Sequence, residues 1–337
     1  MMHLVQIAGE RGRRIALVEE PRLRCLREVE SVYALVQRAL REPRSLTHLA
    51  HSLATDELLD YDAIYAGRSS WRLLPPMDVP GQPARLLVSG TGLTHLGSAR
   101  QRQAMHAAKP EQAAEPLTDS MRMFQWGVEG GRPEGNAVGI APEWFHKGTG
   151  VLLRSPGEPL TIPAYAEDGG DEAEIAGIYL IGDDGQPCRV GFANGNEFSD
   201  HRFEKRNYLN LAGSKLRTCS IGPELVVGAG FQAVAGEVRV ERGAATVWSR
   251  EVASGEENMC HSLANLEHHH FKFEVHRQPG DVHVHFFGAD ALSFADGIRL
   301  EDGDWMQVGF QGMGRPLRNP VRVESGDTRR LTVRCLE

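Results

Sequence analysis

Two glutamates one residue apart, Glu172 and Glu174, are the side chains whose spacing most directly implies chemistry. Residues i and i+2 of a strand point to the same face, so the two carboxylates converge there. Converging carboxylates repel each other unless a cation lies between them or one keeps its proton. The run Ile175 to Ile181 that follows is apolar enough to bury the strand. The pair therefore has two readings, a solvated acidic strand end or the start of a cation site.

A second concentration is of imidazoles. Seven of the 14 histidines fall between His261 and His285, including His268-His269-His270. Adjacent helical residues diverge by roughly 100°, so that triplet cannot converge on one metal. His283 and His285 share a strand face, but no third ligand stands at useful spacing. The expectation is a set of buried, hydrogen-bonded imidazoles or an interface, not a zinc site. Asp302-Gly303-Asp304 reads as a strand-entry turn, not a calcium loop.

The elements that must position these groups follow from periodicity. Residues 3–18 alternate around a turn at Gly9–Arg14, predicting a hairpin. Between about Val32 and Leu53, the apolar positions Val32, Leu35, Val36 and Leu40 follow helical spacing. Pro75, Pro76, Pro80 and Pro83 mark 75–84 as a linker, which sets a small N-terminal α/β domain at 1–78 and a second domain at 79–337. Arg85 to Gly92 reads as a strand entering a glycine turn. The polar stretch 97–137 is either a mobile lid or a solvated helical excursion. Beyond 151 come short strands, among them Ile175–Ile181, Leu225–Val227, Val238–Val240, Val282–Phe287 and Trp305–Phe310. One helix interrupts them, with Ser254 as its cap, Glu257 in a capping box, and Met259, Leu263 and Leu266 on one face. The fold class is α+β and predominantly β.

Composition bounds the function. The chain has 337 residues and a formal net charge of -8, with basic residues scattered, which argues against a nucleic-acid partner. No run approaches the roughly 18 apolar residues of a membrane helix, and the N-terminus lacks the pattern of a signal peptide. Five cysteines without a CxxC pair suit reduced thiols. The expected location is the cytoplasm.

Several segments taken in order resemble the fumarylacetoacetate hydrolase superfamily over roughly residues 85–325. They are Glu172-x-Glu174, Glu197 within Gly191-Phe192-Ala193-Asn194-Gly195-Asn196-Glu197, Lys215 in Gly213-Ser214-Lys215, Gly222-Pro223, and Pro279-Gly280-Asp281. The resemblance implies a β-rich roll behind the small α/β domain and a homodimer or homotetramer. It also implies Glu172, Glu174 and Glu197 as ligands of Mg²⁺, for which Mn²⁺ can substitute, and hard oxygen ligands suit such ions. The family's third carboxylate is usually Asp, so Glu197 is one methylene longer. Either its backbone sits further back or it binds through water. Lys215 would stand beside the metal as base or as holder of a substrate carboxylate, with Ser89 and Thr91 as further substrate contacts.

Two features separate the branches of that superfamily. Many of its hydrolases carry Asn-Tyr-x-x-His-x-x-Glu, whose His–Glu pair activates water. Aligned on His95, this chain has Thr91, Gly92 and Ser98 at the other three positions, which leaves His95 structural or substrate-contacting. Ala141-Pro142-Glu143-Trp144-Phe145-His146-Lys147-Gly148 instead resembles a segment of the 2-keto-3-deoxy sugar acid dehydratases, whose glutamate faces the metal. The expectation is thus an enzyme, a hydro-lyase acting on a small 2-keto acid, with Glu143 and Lys215 as catalytic residues. A five-carbon acid would give 2,5-dioxopentanoate. The rivals are carbon–carbon bond hydrolysis of a 2,4-diketo acid and a non-catalytic sugar-acid binding protein. The family's usual Thr-Gly-Thr-Pro is replaced here by Phe287-Gly288-Ala289-Asp290, which puts the substrate contacts of that wall in doubt.

Overall fold

Gly12 takes φ +95°, a backbone conformation that L side chains rarely adopt, and closes the first turn. In the computed structural model, which describes residues 1–42, 44–100, 118–326 and 330–336, that turn joins β1 (Met2–Gly9) to β2 (Gly12–Glu19), the expected hairpin. β3 (Arg22–Leu26) extends the meander. The helical pattern of 32–53 resolves into two helices, α1 (Val32–Arg41) and α2 (Leu46–Ser52). Ser31 and Ser45 each cap one, accepting from the backbone N–H three residues on, and the second cap forces a second start. β4 (Ala54–Asp60), α3 (Tyr61–Tyr65) and β5 (Arg72–Leu73) follow. The proline-rich stretch after them is packed rather than solvated at its start. Pro75, Met77 and Val79 are buried, and Gln6 Nε2 donates to Pro75 O (2.6 Å) and Asp78 Oδ1 (2.8 Å).

The rest of the chain supplies β6 (Leu86–Gly92), α4 (Asp119–Gly130), β7 (Glu143–Thr149), β8 (Leu153–Arg154) and β9 (Leu160–Ile162). Next come β10 (Ala173–Ile181), β11 (Pro187–Asn196), α5 (His201–Arg206), α6 (Leu211–Lys215), β12 (Cys219–Ile221) and β13 (Leu225–Val227). Last are β14 (Val234–Arg242), β15 (Ala245–Ser254), α7 (Leu263–Phe271), β16 (Val282–Phe286), β17 (Trp305–Phe310) and β18 (Leu317–Val323). Within 97–137, residues 119–130 are the helix α4, and 101–117 lie outside the described residues.

Thirteen strands make one sheet whose main path runs β4-β3-β2-β1-β13-β11-β10-β16-β6-β7, and five make a second, β15-β14-β17-β18-β9. The N-terminal meander joins the large sheet through β1 and β13, with Met2 opposite Val227, so hydrogen bonding continues from residues 1–78 into the rest. β10 lies well inside the large sheet, and all nine of its residues are buried. One face, with Ala176, Ile178 and Leu180, packs under α1 and α2. The other, with Ile175, Tyr179 and Ile181, meets Val238, Val308 and Phe310 of the second sheet. Burial on both faces is why the strand reads as a continuous apolar run instead of an alternation.

The helix expected to start at Ser254 starts later. Ser254 ends β15, paired with Val234, so its backbone is held in the ladder and cannot begin a helix. The N-cap is Ser262, accepting from Asn265 N, while Glu257 lies in a 3₁₀ turn over Glu256–Asn258. Met259, Leu263 and Leu266 do share the core. No helix among the described residues is long and apolar enough to cross a membrane.

Candidate active site

β10 and β11 pair antiparallel up to Ala173 and Asn196, and just beyond that last rung Glu197 N donates to Glu172 O (3.0 Å). The chain then turns at Phe198, whose φ of +44° is a strained value for a non-glycine residue. Glu172 and Glu174 at one strand mouth thereby meet Glu197 at the other. One carboxylate oxygen from each lies within 4.8 Å of the others, and all three side chains are buried. The carboxylate 18 residues before Lys215 is thus the third member of the cluster expected from the sequence.

Two lysines neutralise part of this charge. Lys215 Nζ donates to Glu172 Oε1 (2.5 Å) and Glu197 Oε2 (2.6 Å), and lies 4.6 Å from the Phe145 ring centre. Lys147, fully buried, puts Nζ 2.5 Å from Glu197 Oε1 while donating to the carbonyls of Phe198 (2.7 Å) and Lys215 (2.9 Å). Glu197 Oε1 thus has an ion-pair neighbour but, among the described residues, no aligned hydrogen bond. His201 Nε2 lies 3.0 Å from Glu172 Oε1, and Ser199 Oγ donates to Glu197 Oε2 (2.8 Å).

The electrostatics follow from that count. Burial pushes the Glu174 carboxyl up, and the neighbouring Glu172 and Glu197 push it further, well above the ordinary range. The Gly288 N–H opposes this by donating to Glu174 Oε2 (2.6 Å). Burial also pushes Glu172 up, but Lys215 and His201 outweigh it and hold that carboxyl well below the ordinary range. Burial pushes His201 down, and its bond to Glu172 more than restores it, leaving it raised. Three converging oxygen donors, one of them with its charged form disfavoured for want of positive charge, fit a hard divalent cation. Glu172, Glu174 and Glu197 would hold it.

β7 brings the remaining groups. Its alternate residues Glu143, Phe145 and Lys147 are buried and share a face. Phe145 lies across Gly90 of β6, where a Cβ would sit 2.5 Å from the ring, so only glycine lets it reach Lys215. Glu143 accepts a short hydrogen bond from the Tyr208 hydroxyl. Lys147, His201, Tyr208 and the Gly288 N–H have no spacing signature in the sequence, although Lys147 and Gly288 lie in segments that the motifs single out.

Ser89 and Thr91 are not brought into this cluster. Alternation along β6 turns them to the opposite face from Gly90, and both hydroxyls bond His285 there, Ser89 Oγ to Nδ1 (3.0 Å) and Thr91 Oγ1 to Nε2 (2.7 Å). That face holds the imidazoles: His270 Nε2 meets His283 Nδ1 at 2.9 Å, Trp144 Nε1 donates to His270 Nδ1 (3.1 Å), and His276 packs beside them. Burial pushes His283 and His285 down to about 3 each, with the other imidazoles adding to it. They are buried and hydrogen-bonded, and among the described residues only the three glutamates cluster as metal ligands. His95 is buried too, its Nδ1 on Thr94 Oγ1 (2.8 Å), and is pushed down to about 4. Among the described residues no carboxylate orients it.

No protein-family model and no curated protein sequence matches the chain. Solved structures do. A hexagonal crystal form of 2-keto-3-deoxyarabinonate dehydratase is similar with a TM-score of 0.70 and 17% identity, covering 96% of this chain and 100% of that one. 2-Keto-3-deoxy-D-arabinonate dehydratase complexed with magnesium and 2,5-dioxopentanoate gives 0.69 and 17% over the same shares. A 2-hydroxyhepta-2,4-diene-1,7-dioate isomerase from Mycobacterium marinum gives 0.59 and 18%, over 97% and 100%. The chain has a fumarylacetoacetate hydrolase-like α+β fold, which it shares with these dehydratase and isomerase structures.

Proposed function

We propose that the protein is a magnesium-dependent hydro-lyase that dehydrates a 2-keto-3-deoxy sugar acid, a five-carbon acid giving 2,5-dioxopentanoate. The observation that carries the reading is Glu143, a buried carboxylate outside the three metal candidates, on the strand face whose next members reach Lys215 and Glu197. A simple metal-binding module has no use for a further acid so placed. The solved dehydratase with magnesium and 2,5-dioxopentanoate supports the choice of substrate class.

Bound Mg²⁺ would polarise the keto group and acidify C3. Lys215, after giving up its ammonium proton and its hold on Glu172 and Glu197, would take the C3 proton. Glu143 gives its proton to the C4 hydroxyl, which leaves as water because hydroxide is a poor leaving group, and C3=C4 forms. Moving a proton from C5 to C3 then gives the C4=C5 enol, and transfer of its hydroxyl proton to C4 leaves the C5 aldehyde. General acid catalysis at C4 is typically worth about 10²–10⁴-fold. Hydrolysis of a diketo acid needs an activated water, and His95 has no carboxylate orienter among the described residues for that task.

The test is to incubate protein and Mg²⁺ with 2-keto-3-deoxy acids and 2,4-diketo acids and to identify products. Loss of water from 2-keto-3-deoxyarabinonate, abolished by EDTA and restored by Mg²⁺ or Mn²⁺, is expected. Cleavage of a diketo acid with every 3-deoxy acid left intact sinks the dehydratase reading.

A further inference from the structure

Beyond β18 the chain carries a strand pattern that no sheet takes up. In Arg330-Leu331-Thr332-Val333-Arg334-Cys335-Leu336, the side chains of Leu331, Val333 and Cys335 alternate with Arg330, Thr332 and Arg334. That is the two-residue period of a strand with one apolar face. The segment belongs to no helix or strand. Its apolar side chains stand clear of the protein, with Leu331 92% exposed, Val333 88% and Leu336 86%. A run of this kind gains by leaving water, and this copy's own surface does not cover it.

The main path of the large sheet ends in β4 and β7, and the second sheet ends in β15 and β9. An end strand leaves one side of its backbone open to a further strand. The four ends differ in charge. β9 has three residues and no charge, and β7 carries the buried Glu143 and Lys147 of the candidate site. In β15, Arg250 and Glu251 balance. β4, Ala54-Thr55-Asp56-Glu57-Leu58-Leu59-Asp60, has three acids and no base. The arginines beside it pair only loosely, Arg14 with Glu57 at 3.8 Å and Arg22 with Asp60 at 3.7 Å. Like charges keep a second β4 off this edge, whereas a strand with two arginines and no acid meets it with opposite charge.

We infer that residues 330–336 of one copy of this chain add as a strand to the open edge of β4 in a second copy. Leu59 and Asp60 point to opposite faces of β4. Leu59 packs, half-buried, against the cluster that contains Val5, Ile7, Leu23 and Tyr61. With Arg330 and Arg334 on the Asp60 face, Leu331 and Val333 fall on the Leu59 face and extend that core. Main-chain hydrogen bonds hold the added strand, and its alternate side chains select the edge. Exchanged reciprocally, the two segments close a two-fold dimer.

The experiment is hydrogen–deuterium exchange of the full chain, read at the β4 amides that point away from β3. Val333→Pro disables the segment, because proline removes an N–H and is not tolerated inside a paired strand. Position 333 stands clear of the fold, so the circular dichroism of this variant should match wild type. Its β4 amides should exchange at least about tenfold faster than those of wild type. The edge variant Asp56→Lys/Asp60→Lys should lose the same protection, and adding Arg330→Glu/Arg334→Glu to it should restore it. Mixing Val333→Pro with the edge variant tells one copy from two. The first keeps an intact β4, the second an intact segment, and their β4 peptides differ in mass. Protection should return to the β4 of Val333→Pro on mixing. Equal exchange in wild type and Val333→Pro overturns the inference. So does protection that mixing fails to restore, which puts the segment on its own copy, or a charge swap that leaves β4 unprotected.

Discussion

His283→Gln should make the protein markedly less sensitive to acid. His283 is fully buried on the face away from the glutamates, its Nδ1 on His270 and its Nε2 without an aligned hydrogen-bond partner among the described residues. Burial, and after it His276, His285 and His146, disfavour its charged form, against an opposing hydrogen bond to the His276 backbone. Its folded-state pKa of about 3, against 6.5 for the free group, means that the unfolded chain binds the proton and the folded one does not. The stabilisation from keeping it neutral is fully present above pH 6.5 and is lost as pH falls toward 3. In that window each such imidazole steepens the loss by about 1.4 kcal/mol per pH unit, so His283 and His285 together give roughly twice that. A domain stable by 5–15 kcal/mol loses much of its margin within about two units below pH 6. Glu174 and His201 are raised and act with the opposite sign, but both proteins carry them, so they cancel in the difference. The assay is urea unfolding of wild type and His283→Gln at intervals from pH 7.5 to 4.5, with the m-value checked for constancy. The variant should be shallower below pH 6 by about 1.4 kcal/mol per unit. Parallel curves, or a wild-type stability flat from pH 7 to 5, would refute the argument that these imidazoles are neutral in the fold.

Glu197→Gln should weaken Mg²⁺ binding at least tenfold by calorimetry while leaving the circular dichroism spectrum intact, since it removes a charge that the cation would share; unchanged affinity would remove Glu197 from the ligand set. Lys147→Met should destabilise the fold by about 3–5 kcal/mol in urea, because it strips an ion-pair partner from the buried Glu197 and removes the lysine's hydrogen bond to the Phe198 carbonyl. An effect under about 1 kcal/mol would mean that the site relaxes and the lysine is not holding the carboxylate. Paired with saturating Mg²⁺, the Lys147→Met protein should recover part of that loss, as any ligand of the folded state does.

The features legible in the sequence are those with a local period. The two-residue repeat of a strand is enough to bring Glu172 and Glu174 together, and several strands, from Leu225–Val227 to Trp305–Phe310, lie where alternation and turn residues put them. The same reasoning failed where backbone pairing competes with a local signal. Ser254 looks like a helix cap but is the last rung of β15 against Val234, and the single helix over 32–53 is split by a second cap at Ser45. Ser89 and Thr91 show the limit for side chains: their strand is predicted correctly, yet which of its faces looks toward the glutamates depends on how β6 joins β16 and β7.

By itself the sequence determined the chemical inventory: an acidic pair on an apolar strand, a third glutamate and a lysine after it, a fourth glutamate ahead of them, and an imidazole-rich C-terminal part. It fixed these because residue type and short-range spacing are written directly in the order of the chain. Only the tertiary structure decided who meets whom. It put Lys147 on Glu197 across 50 residues and Tyr208 on Glu143 across 65, and it sent the histidines to the opposite face, where they are neutral and cannot serve the glutamates. Such contacts depend on strand order, on one glycine at position 90 that leaves room for the tip of the Phe145 ring, and on a left-handed turn at Phe198. No local period encodes them, because they arise from packing distant segments around one core.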